Sequence, residues 1–309
     1  MNSPVFPVSP TLKWHGWTDR GKVRPHNEDA FLGVQFDAHE IHHLGKIGEA
    51  SIGVTDYVFA VSDGMGGARA GEFASRLAIE KITKLLPRSF KHSASGLQTD
   101  FPDVMMELFG ETHRALAYVG GSDEDSAGME TTLSLCWFRP GWMYFGHVGD
   151  SRIYYLSVRE EKIKQLSHDD THVGWLLRNG HIKEYEARTH PRRNVLQKAL
   201  GGNNQFVEPQ VGAVAFESGD MFLLCTDGLT EGLYDHHLID TLRLSALAGS
   251  KLNPAQSLVE TAVANDGRDN TTALVIQVLL SSAVDDELDV LRQLRSDFGD
   301  HVPLEQAGQ

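Results

Sequence analysis

The chain has little cysteine, little positive charge and no long apolar run. Its 309 residues include two cysteines, Cys136 and Cys225, each inside an apolar, strand-like segment. That excludes a disulfide framework or a cysteine-based zinc site, and both read as small buried hydrophobes in a reducing, cytoplasmic compartment. No apolar stretch approaches the roughly 20 residues needed to cross a bilayer. Residues 1–10 lack a basic region followed by an apolar one, so no secretory leader is expected. Only 28 Lys and Arg stand against 42 Asp and Glu, a formal net charge of −14. Nucleic acid and anionic membranes need clustered basic side chains, so neither is expected as a partner. With 41% hydrophobic and 23% charged residues, a chain of this length can bury a large core without staples.

What the chain does have is a repeated ending. Three apolar runs close on an aspartate: 57–61 leads into Ser62-Asp63-Gly64, 143–148 into Gly149-Asp150, and 221–225 into Thr226-Asp227-Gly228. A buried strand that ends on a carboxylate places a short acid at the rim of a sheet, where several acids can converge. A fourth acid, Asp269, stands just before a run at 271–279. Clustered carboxylates repel one another and raise each other's pKa. Hard divalent cations with oxygen ligands remove that conflict, and Mg²⁺ or Mn²⁺ suits such a site. These acids span positions 63 to 269, so a single site makes most of the chain one domain.

Hydrophobic periodicity predicts strands at 12–17 and 30–36, then a polar insertion at 37–56 that reads as a surface loop with a hairpin. His42 and His43 there are expected to be exposed, because adjacent strand residues point to opposite faces. Helices are expected at 72–86, with Phe73, Leu77, Ile79 and Ile82 as the apolar stripe, and at 103–118. Strands at 132–138, 142–148, 152–156 and 162–166 follow at antiparallel spacing. Residues 169–202 are helical and polar and read as a flap, whose Arg178, Arg188, Arg192 and Arg193 form a basic rim. Strands at 207–216 and 221–226, helices at 236–247 and 254–265, and a strand at 271–280 complete the body. Strands and helices come in blocks, which favours an α+β class with two antiparallel β-sheets layered between helices. An amphipathic segment at 285–298 is expected to form a C-terminal helix.

The motifs then become specific in order. They are Thr18-Asp19-Arg20-Gly21-Lys22-Val23-Arg24, Asn27-Glu28-Asp29-Ala30, Asp63-Gly64-Met65-Gly66-Gly67, Gly71-Glu72, Thr131-Thr132, Gly149-Asp150-Ser151-Arg152, the NVLQKALG run at 194–201, Asp227-Gly228-Leu229-Thr230 and Asp269-Asn270-Thr271. This ordered set resembles the metal-dependent Ser/Thr protein phosphatases of type 2C (PPM family), bacterial type, over about residues 12–280. The resemblance implies the layered sandwich fold, with a flexible N-terminus at 1–11, a catalytic domain at 12–280 and a C-terminal helix and tail at 281–309. It implies hydrolysis of phosphoserine and phosphothreonine by a water or hydroxide bridging two metal ions. Asp63 would bridge both ions, the Gly64 carbonyl would bind one, and Asp227 and Asp269 would complete the second site. Asp29, with Glu28, would hold metal-bound waters. Asp150 with Asp227 resembles the site of a third ion, to which Glu231 would contribute. Arg24 matches the phosphate-binding arginine; a guanidinium grips two phosphoryl oxygens at once. Phosphorylated proteins, including a Ser/Thr kinase, are the implied partners.

One departure stands out. Bacterial relatives carry His directly after Asp-Gly-Met-Gly-Gly, and animal members carry a general-acid His just after Asp-Gly; here those positions are Ala68 and Met65. General acids typically contribute ~10²–10⁴-fold, so turnover is slower or a metal-bound water replaces the group. Of the alternative donors, His147 reads as a strand histidine satisfied by its neighbours, and His168 and His190 belong to the flap region. Arg152 reads as a structural ion-pair partner. A catalytically weak or inactive phosphatase-like binding protein is the alternative function, and the charge argues against a phosphodiesterase or nuclease.

Overall fold

Alternation along the strands decides the layering. In β5 (Asp56–Met65), Tyr57, Phe59 and Val61 enter one core while Val58 and Ala60 enter another. β14 (Thr271–Leu279) divides in the same way: Leu274, Ile276 and Val278 face inward, Ala273 and Val275 outward. Strands buried on both faces must be covered twice, so two sheets stack face to face and each carries helices on its outer side. The computed structural model describes residues 10–94, 101–122, 126–160, 162–202, 207–247 and 250–279.

One sheet has six strands in the order β10 (Ile163–Gln165), β9 (Arg152–Leu156), β13 (Met221–Cys225), β14, β1 (Thr11–Asp19) and β4 (Ile47–Ser51). The other has eight. Its main path is β11 (Leu200–Gly201), β6 (Glu130–Thr131), β5, β7 (Leu133–Arg139), β8 (Trp142–Val148) and β12 (Gln210–Ala215). Off this path, β2 (Asp29–Phe36) pairs with β5, and β3 (Ile41–His43) pairs with β2. Every pairing is antiparallel. Helices α1 (Gly67–Ala94) and α2 (Phe101–Ser122) cover the eight-stranded sheet. Short α3 (His172–Arg178) and α4 (Glu184–Thr189) form the flap, and α5 (Asp227–Gly232), α6 (Asp235–Ala246) and α7 (Pro254–Asn265) cover the six-stranded sheet. The fold is the expected α+β sandwich.

Four local expectations need correction. The insertion at 37–56 is not a hairpin: β3 pairs with β2 in one sheet and β4 with β1 in the other, so the segment crosses between sheets. Trp14 explains why β4 docks, since its ring lies where a Cβ on Gly48 would approach it to 2.2 Å. The buried face of α1 is Ala70, Ala74, Ala78, Ile82 and Leu86, whereas Phe73 is 46% exposed. Alanines carry a weak apolar signal, yet their small size lets the helix lie close on the sheet. That helix also continues through Pro87 to Ala94, beyond the expected stop at 86, because Ile82 and Leu86 fix the turn before the proline in the core. Lastly β1 starts at Thr11, a buried residue, and not after an N-terminal arm ending there. Residues 1–9 of the expected arm at 1–11, and the C-terminal helix at 285–298, lie outside the described residues. No helix among the described residues is long and apolar enough to cross a membrane.

Phe59 sits at the centre of the inter-sheet core, with ring centroids 5.7 Å from Trp14 and 5.8 Å from Phe138. Phe59→Ala is expected to destabilise the fold by about 3–5 kcal/mol in urea unfolding. A loss below about 1 kcal/mol, the range of tolerated volume-conserving swaps, would contradict this packing.

Candidate metal centre

Strand register brings the first two acids together: Asp29 on β2 lies directly opposite Asp63 on β5. The Asp63 backbone is fixed by a threonine pair. Its N–H donates to Thr132 Oγ1 at 3.0 Å, and its carbonyl accepts from the Thr132 N–H at 2.9 Å and Thr131 Oγ1 at 2.7 Å. Thr132 Oγ1 also shares a 2.7 Å bond with Ser151 Oγ, which ties the Asp63 strand to the Asp150 turn. Gly149 before Asp150 has φ +114°, a region that disfavours any side chain, and a Cβ there would sit 2.6 Å from Thr132.

The second pair of acids comes from the opposite sheet. Thr226, which immediately precedes Asp227, and Thr272 both donate to Asp29 Oδ2, at 2.8 and 2.6 Å. Asn270 organises the loop that carries Arg24. Its side chain accepts from the Glu28 N–H at 2.8 Å and donates to the carbonyls of Arg20 and His26, each at 2.9 Å. Arg24 Nη2 in turn meets Asp269 Oδ2 at 2.6 Å. Gly64 is required by space: a Cβ would lie 1.9 Å from the Gly71 carbonyl oxygen in the first turns of α1. Gly71 is required likewise, with Glu28 Oε1 at 3.0 Å from its hypothetical Cβ.

Electrostatics report how close the acids lie. Burial, then the charges of Asp29, Asp227, Asp150 and Asp269, push Asp63 well above the usual carboxylate range. Burial and then Asp150, Asp269, Glu231 and Asp29 do the same to Asp227. Burial raises Asp29 and Asp150 to about 7 each, against the two threonine hydrogen bonds in the first case and Arg152 in the second. Glu28 is raised as well, chiefly by burial. Mutual repulsion of carboxylates opposes a closed cage, and among the described residues no three His, Cys, Asp or Glu side chains form one.

The donor set nevertheless fits hard cations. Two buried carboxylate oxygens, Asp29 Oδ1 and Asp227 Oδ1, have no hydrogen-bond partner, and such orphans are costly unless something positive meets them. An all-oxygen set of short acids is what Mg²⁺ and Mn²⁺ prefer.

Other candidates lie further out. Glu231, one helical turn after Asp227 on α5, has its Oε1 engaged by Arg193 Nε and Nη2 at 3.2 and 3.1 Å and by Asn194 Nδ2 at 2.9 Å. Arg152 forms the expected structural pair, bidentate to Asp169 at 2.9 and 2.7 Å. His147 is buried between Ser134 Oγ at 2.8 Å and the Gly149 carbonyl at 3.0 Å. A carbonyl only accepts, so Nε2 carries the proton and Nδ1 accepts from Ser134; burial lowers its pKa and keeps it neutral. The flap arginines are largely engaged within the protein. Arg178 donates to the Asp169 carbonyl, and Arg188 to those of Thr230 and Leu233. Sequence reasoning gave Thr131, Thr132 and Asn270 no positioning role and missed Thr226 and Thr272. The one available signal was that Thr226 and Asn270 adjoin Asp227 and Asp269.

Comparison with known proteins places this architecture. A family model for protein phosphatase 2C matches residues 49–261. The chain is 31% identical over 278 residues to the serine/threonine protein phosphatase PstP of Mycobacterium tuberculosis, covering 88% of this chain and 46% of that protein. It thus spans about half the length of that mycobacterial relative. It is 31% identical to the serine/threonine phosphatase stp of Listeria monocytogenes, over 84% of this chain and 93% of the relative. The crystal structure of the PstP catalytic domain in complex with two manganese ions superposes with a TM-score of 0.68 at 30% identity, over 88% of this chain and all of that one. The fold is thus that of solved Ser/Thr phosphatases. The chain belongs to the protein phosphatase 2C family.

The raised carboxylates set a pH dependence. In unfolded chain these acids titrate near ~4, so between that pH and about 7 the folded protein holds protons that the unfolded chain has lost. More protons bound in the folded state make stability fall as pH rises. In chelator, Tm is therefore expected to drop between pH 5 and pH 8. Divalent ions, whose binding displaces those protons, should restore it most at pH 8. Thermal scans with EDTA and with Mn²⁺ test this; a chelated Tm that rises with pH would contradict it.

Proposed function

We propose that the chain hydrolyses phosphoserine and phosphothreonine in proteins, using two divalent ions, Mn²⁺ or Mg²⁺, held at the rim where the sheets meet. The observation that carries this is the set of acids from both sheets at one rim, with two buried oxygens lacking partners. Asp63 and the Gly64 carbonyl would hold the ions together with Asp227 and Asp269, Asp63 being shared between them. Asp29, with Glu28 beside it, would orient hydration water. Asp150 with Asp227 would take a third ion. What the ions contribute when bound is a water of lowered pKa and charge neutralisation at the phosphoryl oxygens.

The protein's own part is positioning. Asp29 and Asp63 are held by threonines from two sheets, so neither needs reorganisation as charge develops. Arg24 stands on the loop that Asn270 fixes, within reach of the Asp269 side, and presents a planar fork suited to two phosphoryl oxygens. His147 is not the missing proton donor, because both its ring nitrogens are engaged in the interior. We place the substrates among phosphorylated proteins of the cytoplasm, a Ser/Thr kinase included; the relatives' names and the chain's charge support that reading.

Manganese-dependent release of phosphate from a phosphothreonine peptide is the expected activity. Asp63→Asn should lower it by on the order of 10²–10³-fold, the usual loss on removing one preorganised electrostatic partner. Full activity in EDTA or in that variant would sink the proposal. Tight Mn²⁺ binding by calorimetry without hydrolysis would select the binding-protein alternative that Ala68 and Met65 left open.

A further inference from the structure

The outer edge of β2 is covered only in part. β3 pairs with Val34, Gln35 and Phe36 and reaches no further, and among the described residues no strand pairs with 29–33 on that side. The Gly33 carbonyl accepts from the Leu44 N–H at 2.8 Å, so it points away from β5. Main-chain groups of residues two apart in a strand face the same neighbour, so the N–H and carbonyl of Phe31 point outward as well. An uncovered edge of this kind is a template for one more strand.

Between that stretch and α1 lies a groove of about 540 Å³, a ligand-sized space. Ala30 and Phe31 line its strand side, and Ile79 and Thr83 line its helix side. Phe31 packs against the core between the sheets and Ile79 against the core under α1, so both walls are anchored. Thr83 commits its hydroxyl to the Ile79 carbonyl at 2.9 Å. The charges at the helix rim answer one another: Arg76 pairs with Glu72 at 2.7 Å, and Lys84 pairs with Glu80. Little preference for either sign is left there, and the open main chain of β2 is the recognition on offer. His43, the last residue of β3, closes one end of the groove; Thr18 and Asp29 form the other, where Asp29 stands opposite Asp63.

We propose that this edge receives the substrate's own polypeptide as an added strand in line with β3, so that residues flanking the phosphorylated side chain lie in the groove while that side chain reaches the acids beyond Asp29. An edge strand faced by a helix suits strand addition: main-chain hydrogen bonds give affinity, and the space between the walls selects alternate side chains. β3 shows that this edge accepts a strand. Substrates are then phosphorylated sites in extended segments with uncharged or apolar flanks, and a small aryl phosphate reaches the acids without the groove. The identity of the peptide as substrate rests on the phosphatase reading; recognition of an extended chain by β2 does not.

The test uses the full chain and a phosphothreonine peptide with extended flanks, N-methylated at one flanking residue at a time. Methylation removes a main-chain donor and leaves the side chains as they are. On one flank, KM should rise about tenfold at every second position, the loss of a hydrogen bond together with the methyl's intrusion on the edge, and change by less than about twofold at the positions between. Thr83→Trp, which fills the groove from the helix side, should raise KM for the unmodified peptide severalfold while kcat/KM for an aryl phosphate stays within about twofold, the pattern of lost ground-state binding; Thr83→Ala should behave as wild type. With Mn²⁺ and a phosphonate analogue of the peptide that cannot be hydrolysed, hydrogen exchange over residues 29–36 should slow about tenfold, with β12 unchanged. A methylation profile without a period of two overturns the proposal, and so does an analogue that fails to bind or that binds without protecting 29–36. If Thr83→Trp does not fold, the methylation and exchange arms need only the wild type. If the wild type releases no phosphate, the exchange arm still decides the inference, and the phosphatase reading alone has failed.

Discussion

Asp29 is the residue on which both sheets agree. It belongs to β2 of the eight-stranded sheet, where its register sets it against Asp63, and its Oδ2 is held by Thr272 of β14 and by Thr226, the residue after β13. Thr272 Oγ1 also meets Thr18 Oγ1 at 2.7 Å, and Asn27 Nδ2 donates to Thr18, so the same short network reaches β1 and the Arg24 loop. Sliding either sheet would break a hydrogen bond to a buried carboxylate, which costs more than losing a neutral pair. Relative placement of the sheets, and with it the meeting of Asp63 with Asp227 and Asp269, thus follows from one side chain's commitments.

That arrangement works against the fold's own stability. Four buried aspartates with raised pKa values store repulsion at one rim, and two oxygens lack any donor. The three cores offset this: each fully buried Leu, Ile, Val or Phe contributes about 1.5–3 kcal/mol, and dozens are involved. A large double-faced sandwich can carry a frustrated rim that a small domain could not.

The legible parts of the sequence were those whose signal is carried by one strong residue type. Strand runs such as Val58 to Val61 and Met221 to Cys225 announce themselves by continuous apolarity, and the acids at their ends by charge. Hidden from such reading was whatever depends on smallness or on hydroxyl geometry. The α1 face of Ala70, Ala74 and Ala78 is nearly silent on a hydrophobicity scale although it is buried. Thr226 and Thr272 look like ordinary strand threonines, and only the sheet-to-sheet approach shows that both aim at Asp29. The β3–β4 insertion misled for a similar reason: spacing suggests local pairing, while Gly48 under Trp14 fixes a distant one.

Charge gave the opposite lesson in the flap. Arg178, Arg188, Arg192 and Arg193 read as a basic rim able to steer anions, yet Arg188 and Arg193 answer carbonyls and a carboxylate of α5 or its C-terminal end, and Arg178 answers the flap's own base. Arg193 thus has its charge met by a carboxylate, whereas Arg178 and Arg188 mainly bond carbonyls. In the proposed function, phosphate is gripped by Arg24, on the loop that Asn270 holds. In an acidic protein this placement is physically economical: positive charge between α4 and α5 meets Glu231 and the helix's C-terminal carbonyls, although Glu231 still counts among the charges that raise Asp227.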